Sequence, residues 1–309
     1  MPIINPSDRQ TTFLLETVPG TTPTTGTRYI LPVTSQNMIS FSSADIPSNT
    51  IRPNGARNGS QQGPITGEGT IEVPMMFTPA HHQLLEGSLR GKFTTTGTKT
   101  LKPANIDSYF SVATLLLAGT AGNAQLDVAK GSTITQASLS ATAGEGAMIS
   151  FNMLAAAEDN LKTDLAVTAT DVPNAAYEFT FKDISNIVTA GNTTLEYKSL
   201  TLEWGQPRAN RYKLGSNVSI GNAVSEQRTV TLTLRAYRDT VDVKALLTGQ
   251  KQAFSFNIGT AGAGYGFFIW GQAAIPSTEL DGESAYVNIT VTGAYDTTAL
   301  ADMYITQLV

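Results

Sequence analysis

Hydrophobic residues along this chain alternate with polar ones in short runs, the spacing that lines one face of a half-buried strand. Ile39 and Phe41 share a face over 37–41. Ile71 and Val73 do so over 70–77, with Glu72 opposite. Leu200, Leu202 and Trp204 share a face over 195–204, with Thr201 and Glu203 opposite. The same reading predicts strands over 147–154, 178–181, 228–237, 254–258, 265–270 and 285–291. The apolar run 109–117 alone fits helix or strand; strand is preferred because 126–128 and 134–139 supply hairpin partners. Pro74 points to an edge or a bulge. Helical signals are few. Thr78-Pro79 is a cap followed by a first-turn proline, Leu84, Leu85 and Leu89 give one apolar face, and Gly91 ends it. A second short helix is expected after Asp239 or Thr240, with Val243, Leu246 and Leu247 inward and Gly249 behind. Between these lie an irregular arm over 1–35, long polar loops over 42–69 and 205–227, and a join over 155–173.

The order strand, long loop, strand, short helix and hairpins occurs twice. Ile39-Ser40-Phe41 precedes Leu202-Glu203-Trp204 by 163 residues, and Thr70-Ile71-Glu72-Val73 precedes Thr229-Val230-Thr231-Leu232 by 159. Leu84-Leu85 precedes Leu246-Leu247 by 162, and Phe93 precedes Phe254 by 161. Gly144 to Phe151 parallels Gly282 to Ile289 at 138, which places an insertion in the first copy between Phe93 and Gly144. Two modules follow, 1–170 and 171–309, a division that fits a chain of 309 residues.

Composition narrows the classes. Charged residues are 15%, against about 25% in ordinary soluble domains. Thr, Ser, Ala and Gly take their place, which suits a surface covered by other subunits. A net charge of −5 argues against a surface built to grip nucleic acid. There is no cysteine, so neither a disulfide frame nor a thiolate metal site is available. The first residues lack the pattern of a secretion signal, and no apolar run reaches the about 18 residues of a membrane helix. Assembly in a cytoplasm without membrane insertion is expected.

Chemistry-bearing constellations are scarce. His81 and His82 are the only histidines, and neighbours on a helix point about 100° apart, unlike a same-face ligand pair. The glycines of 259–266 lack the Lys-Ser/Thr of a phosphate loop. Glu158-Asp159 falls in the expected join. No enzyme, cofactor or metal is expected.

The ordered set of segments resembles the tail tube (major tail) proteins of long-tailed bacteriophages. It is carried by the Glu16 to Pro23 arm, Gly67-Glu68-Gly69-Thr70-Ile71-Glu72-Val73, Leu84 to Leu89, Tyr109 to Val112, and the hairpins through Gly131, Ile134, Leu139-Ser140, Gly144 and Ile149-Ser150-Phe151. It covers most of 10–295, and the second half matches its closing region less closely. The resemblance implies a mainly β fold: two tandem β-sandwich modules, each flanked by a short helix, giving strands to the inner barrel of a ring. Rings would stack into a tube conducting viral DNA without specific binding, with tape-measure and tail-tip or terminator proteins as further partners. Six modules per ring implies homotrimers, with a homohexamer as the alternative. Three copies at −5 each would repel a duplex. Glu72 and Glu203 are the lumen candidates, against a solvated outer face. Arg52, Arg57, Arg208 and Arg211 are the candidates for stacking contacts from the two long loops, against plain solvated charges. A terminator, adaptor or baseplate ring protein of the same fold, and a carbohydrate-binding sandwich, are the competing readings; the latter wants exposed aromatics, whereas Tyr265, Phe267, Phe268 and Trp270 sit in an alternating strand.

Overall fold

A computed structural model describes residues 9–34, 39–50, 59–116, 125–159, 165, 167–170, 177–238, 249–281 and 284–308. The fold is mainly β, with one α-helix among the described residues. Its central feature is a sheet of eight antiparallel strands. The first half supplies β3 (Ser40–Pro47), β4 (Ser60–Pro74), β8 (Met148–Ala155) and the second part of β7 (Gln125–Thr142), in that spatial order. The second half supplies β12 (Tyr197–Gly205), β15 (Thr229–Tyr237), β19 (Ser284–Gly293) and β18 (Ser277–Asp281), again in order. β7 and β12 join the two quartets directly, with Leu139 opposite Leu202 and Ala137 opposite Trp204.

Each quartet is backed by an outer layer. In the first half this is β2 (Arg28–Leu31), β1 (Arg9–Leu15), β6 (Phe110–Leu116), the first part of β7, and β9 (Ala157–Asp159), with β10 (Ala169–Thr170) parallel to β2. In the second half it is β11 (Ile184–Thr189), β16 (Lys251–Thr260), β17 (Ala263–Ala273) and β20 (Met303–Gln307), with β5 (Thr100–Leu101) at the edge of β20. β13 (Arg208–Asn210) and β14 (Asn222–Val224) form a separate hairpin. β7 serves both layers of its half because Gly131, at φ +63, turns the strand in its middle. Buried Glu16 fixes this turn, its carboxylate accepting from the Gly131 amide (2.8 Å), the Ser111 hydroxyl (2.7 Å) and the Gly20 amide (2.6 Å).

The residues read as inward by alternation form the core. Ile71, Val73, Leu139, Ile149, Phe151, Leu202, Trp204, Leu232 and Ile289 belong to one cluster that runs through both halves. Helix α1 (Pro79–Leu89) starts at Thr78, whose hydroxyl accepts from the His81 amide, and buries Leu84, Leu85 and Leu89. It sits over the joint between the halves: Ser88 accepts from the Trp204 indole at 2.9 Å, and Gly87 lies against Phe110 and Ile134, where a Cβ would come within 2.8 Å of the phenyl ring. The left-handed cap is Arg90 (φ 52), one residue ahead of the expected Gly91. Gly91 is needed for another reason, since a Cβ there would lie 2.2 Å from the Lys102 carbonyl.

Three expectations change. The arm over 1–35 contains two strands, because Phe13 and Leu14 are buried on opposite sides of β1 and polar Thr12, Glu16 and Arg28 are buried with hydrogen bonds. The loop over 42–69 is a long hairpin in its described parts, with β3 and β4 paired from Ser40/Glu68 out to Pro47/Ser60. The equivalence of β4 and β15 is 163 residues, not 159. Phe41 faces Gly67 and its counterpart Trp204 faces Val230. Independently, Phe151 faces Ile71 and its counterpart Ile289 faces Leu234. The expected second helix after Asp239 lies outside the described residues, as do 160–164, 166 and 171–173 of the expected join, whose described part contains β9 and β10.

Candidate assembly surfaces

The eight-stranded sheet buries one face and turns the other outward. That outer face carries Thr70, Glu72, Ser150, Asn152, Ser138, Ser140, Thr201, Glu203, Thr233 and Thr290, all partly or fully exposed. Strict alternation puts them there, since their neighbours along each strand fill the core. Glu72 and Glu203 lie in one row across it. Glu72 is opposite Ser150, Ser150 opposite Ser138, and Ser138 opposite Glu203. Three strand spacings separate the two carboxylates, about 14 Å. Glu68, Glu279 and Asp281 occupy the same face. Arg235 is among them, ion-paired to Glu279 (3.1 Å) and Asp281 (3.2 Å), its guanidinium 4.1 Å from the centre of the Tyr286 ring. The row of Glu72 and Glu203 depends on strand order and could not be read from the sequence.

Among the described residues the sheet ends on β3 and β18, each paired on one side only. Every residue of β18 is exposed, and so is all of β3 but the half-exposed Phe41. Leu280 is 80% and Ile275 90% exposed. Open edges of this kind are templates for pairing with another chain.

The third surface is an arm built from both long loops. The β13–β14 hairpin leaves the sheet after Gly205, where the backbones approach so closely that a Cβ would lie 2.5 Å from the Thr135 carbonyl. It folds across the ends of β7 and β8. The Asn210 amide donates to the Ala155 carbonyl (3.2 Å), and the Asn222 amide to those of Gly131 (3.2 Å) and Leu154 (3.4 Å). It then reaches the hairpin of the first half: the Tyr212 hydroxyl donates to the Ile65 carbonyl at 2.8 Å, and the Ile65 amide to the Asn217 carbonyl at 2.8 Å. Leu214, Ile220 and Ile46 are exposed on this joint arm.

The four arginines fare differently. Arg208 is held inside its own chain, its side chain 2% exposed, bonded to the Asp107 carboxylate and to Asn222. Arg90 shares Asp107 at 2.7 Å. Burial pushes the Asp107 carboxyl up, but the hydrogen bonds and charges of Arg208 and Arg90 outweigh it and hold the group below its ordinary value. Arg211 stands exposed on the arm, its main chain bonded to Gly221 and Ile220. Arg52 and Arg57 lie outside the described residues.

Buried His81 holds α1 in place through contacts with Thr78 Oγ1 (2.7 Å) and the Pro74 carbonyl (2.9 Å), and burial pushes its pKa down to about 4. His82 packs edge-on against Phe77, Phe93 and Tyr265 and is also lowered to about 4, by burial first and then by Lys99. Both are wedged among core groups. Among the described residues no cluster of three or more His, Cys, Asp or Glu could hold a metal ion, and no helix is long and apolar enough to cross a membrane.

A sandwich pair with a shared sheet, a polar face, open edges and a projecting arm is the form of a self-associating structural protein. The family comparison agrees: the model of the family described as phage tail tube protein matches residues 7–294, and the chain belongs to that family. It is a structural component of a phage tail that assembles into a tube. No curated protein matches the chain.

Proposed function

We propose that copies of this chain join head to tail into closed rings, and that the rings stack into a hollow tube through which the viral genome leaves the particle. The continuous eight-stranded sheet carries this reading. It has one polar face for a bore and two free edges for neighbours, and edges vanish only when the sheet closes on itself. Three copies give six quartets and a wall of twenty-four strands; this is the arrangement we favour over six copies. The edges belong to different strands of one chain, so the contact is heterologous and propagates until it closes.

The polar face turns inward. Glu68, Glu72, Glu203, Glu279 and Asp281 outnumber Arg235 there and repel phosphates, while Ser, Thr and Asn supply neutral wall. A duplex then slides without phosphate contacts that would hold it. Stacking falls to the joint arm, with Arg211, Leu214 and Ile220 meeting the next ring. Assembly takes place in the host bacterial cytoplasm around the tape-measure protein. Electron microscopy of concentrated purified protein tests the reading. Hollow tubes with threefold end-on averages support it. Single rings that never stack would instead indicate a terminator or adaptor, and a protein that stays monomeric with and without tail-tip proteins would sink it.

A further inference from the structure

The chain contains one junction between like modules, and it is a template for the junction between chains. β3 is equivalent to β12 at 163 residues, as the pairings of Phe41 and Trp204 require. β7 is equivalent to β18 at 139. Ser138 faces Ser150 and Ser277 faces Asn288, and Ser150 and Asn288 are counterparts at 138. The internal junction β7–β12 therefore corresponds to β18 of one copy meeting β3 of the next. Internally, Ser138 faces Glu203 and Leu139 faces Leu202. Substituting counterparts places Ser277 against Ser40 and Thr278 against Ile39.

We propose that successive copies pair β18 with β3 antiparallel in this one register. The proposal rests on the head-to-tail reading above and specifies its contact. The side chains at the two open edges suit it. Trp204 is 1% exposed at the internal junction, while its counterpart Phe41 is half-exposed; Leu202 is buried, while Ile39 is half-exposed. Ala141, 5% exposed, has Leu280 as its counterpart, 80% exposed. Apolar side chains thus stand at Ile39, Phe41 and Leu280, while Thr278, the exposed counterpart of buried Leu139, is the polar exception. The outward-facing counterparts Ser40 and Ser277 are polar, like Glu203 and Ser138. A slip by one residue would set the core-facing side chains of one copy against the polar face of the next, so burial excludes odd slips and leaves the two-residue slip to be tested directly.

The ladder geometry supplies a test. The Ala143 amide donates to the Lys198 carbonyl and the Gln206 amide to the Thr135 carbonyl, both at 2.9 Å. Leu139 and Leu202 are therefore a hydrogen-bonded pair, and Ser138 and Glu203 a non-hydrogen-bonded one. By inheritance Ser40 and Ser277 form a non-hydrogen-bonded pair with Cα atoms about 4.5 Å apart, within reach of a disulfide. The chain has no cysteine, so added thiols are the only ones. The two positions of one chain lie at opposite ends of eight strands, about 33 Å apart, so any bond joins two chains.

The experiment oxidises assembled Ser40→Cys/Ser277→Cys protein and reads it on a non-reducing gel, beside Ser42→Cys/Ser277→Cys, which is slipped by two residues. Both changes are at exposed serines. The expected result is a ladder ending in a covalent closed ring for the first variant, with at least tenfold less product for the second. Equal or preferential cross-linking of the slipped pair overturns the register. Tubes or rings seen by microscopy without the Ser40–Ser277 product overturn it too, while leaving the head-to-tail reading standing. A mixture of the single variants Ser40→Cys and Ser277→Cys, with one thiol per chain, must give a cross-linked dimer and nothing longer, and neither alone may do so. Protein that stays monomeric and uncross-linked at high concentration, with and without tail-tip proteins, overturns both.

Discussion

The hairpin of the first half continues β3 and β4 straight past the sheet, while the hairpin of the second half leaves after Gly205 and lies across the ends of β7 and β8. The sheets of the two halves, by contrast, superpose strand for strand through their hydrogen-bond registers. Each inner strand other than the edge ones is fixed by two neighbours and a buried face, so a slip costs every core contact at once. The hairpins have no such constraint and diverged. The divergence changes the number of parts: a doubled module would offer two arms, but the Tyr212 and Asn217 contacts to Ile65 merge them into one per chain.

Breaking the shared sheet at the joint of the halves has the largest expected effect. Trp204→Ala removes a side chain packed under α1 and on Phe267, and lowers stability by about 3–5 kcal/mol in urea unfolding. Acid separates the halves chemically, because both histidines are in the first. His81 has a pKa of about 4 when folded and about 6.5 when unfolded. Between those values the unfolded chain binds more protons, so stability is full above pH 6.5 and falls as pH drops towards 4. The loss for His81 is of order 3 kcal/mol. Thermal melts at pH 7 and pH 4.5 measure it, and hydrogen exchange at pH 4.5 should show α1 opening before β16–β17. The Asp107→Asn change leaves the enclosed Arg208 without its carboxylate, costs about 2 kcal/mol, and frees the second hairpin more than the first. Tyr212→Phe is the mildest. It removes the hydroxyl's bonds to the Ile65 carbonyl and the Thr66 hydroxyl, about 1–2 kcal/mol together, and should raise exchange at 210–222 while leaving the eight-stranded sheet unaffected.

Much of this was legible in the alternation of apolar and polar residues. The inner strands of both halves and the polar placement of Glu72 and Glu203 follow from it, and the Thr78 cap follows from Thr-Pro at a helix start. The repeat in the sequence sets β4 and β15 159 residues apart, whereas the pairings of Phe41 and Trp204 set them at 163. Thr70-Ile71-Glu72-Val73 and Thr229-Val230-Thr231-Leu232 have the same parity, and a period of two cannot register an even slip. The extension of β3 and β4 was hidden because residues 42–47 and most of 60–66 are exposed on both faces, which leaves no periodic signal. The first strand was hidden for the opposite reason, since β1 buries polar Thr12 beside Phe13 and Leu14. Arg208 read as a stacking contact of a long loop, with a plain solvated charge as the alternative. Its partner Asp107 lies 101 residues away in sequence, a pairing only the fold creates.

The turn at Gly131 has a mechanical side. In the first half one unbroken strand, β7, runs from the outer layer into the shared sheet, whereas in the second half the same path is split into β17 and β18 by residues 274–276. The end of β17, from Gly271 to Ala273, nonetheless pairs with β19, so in each half a load pulling the layers apart is borne by a strand hydrogen-bonded in both.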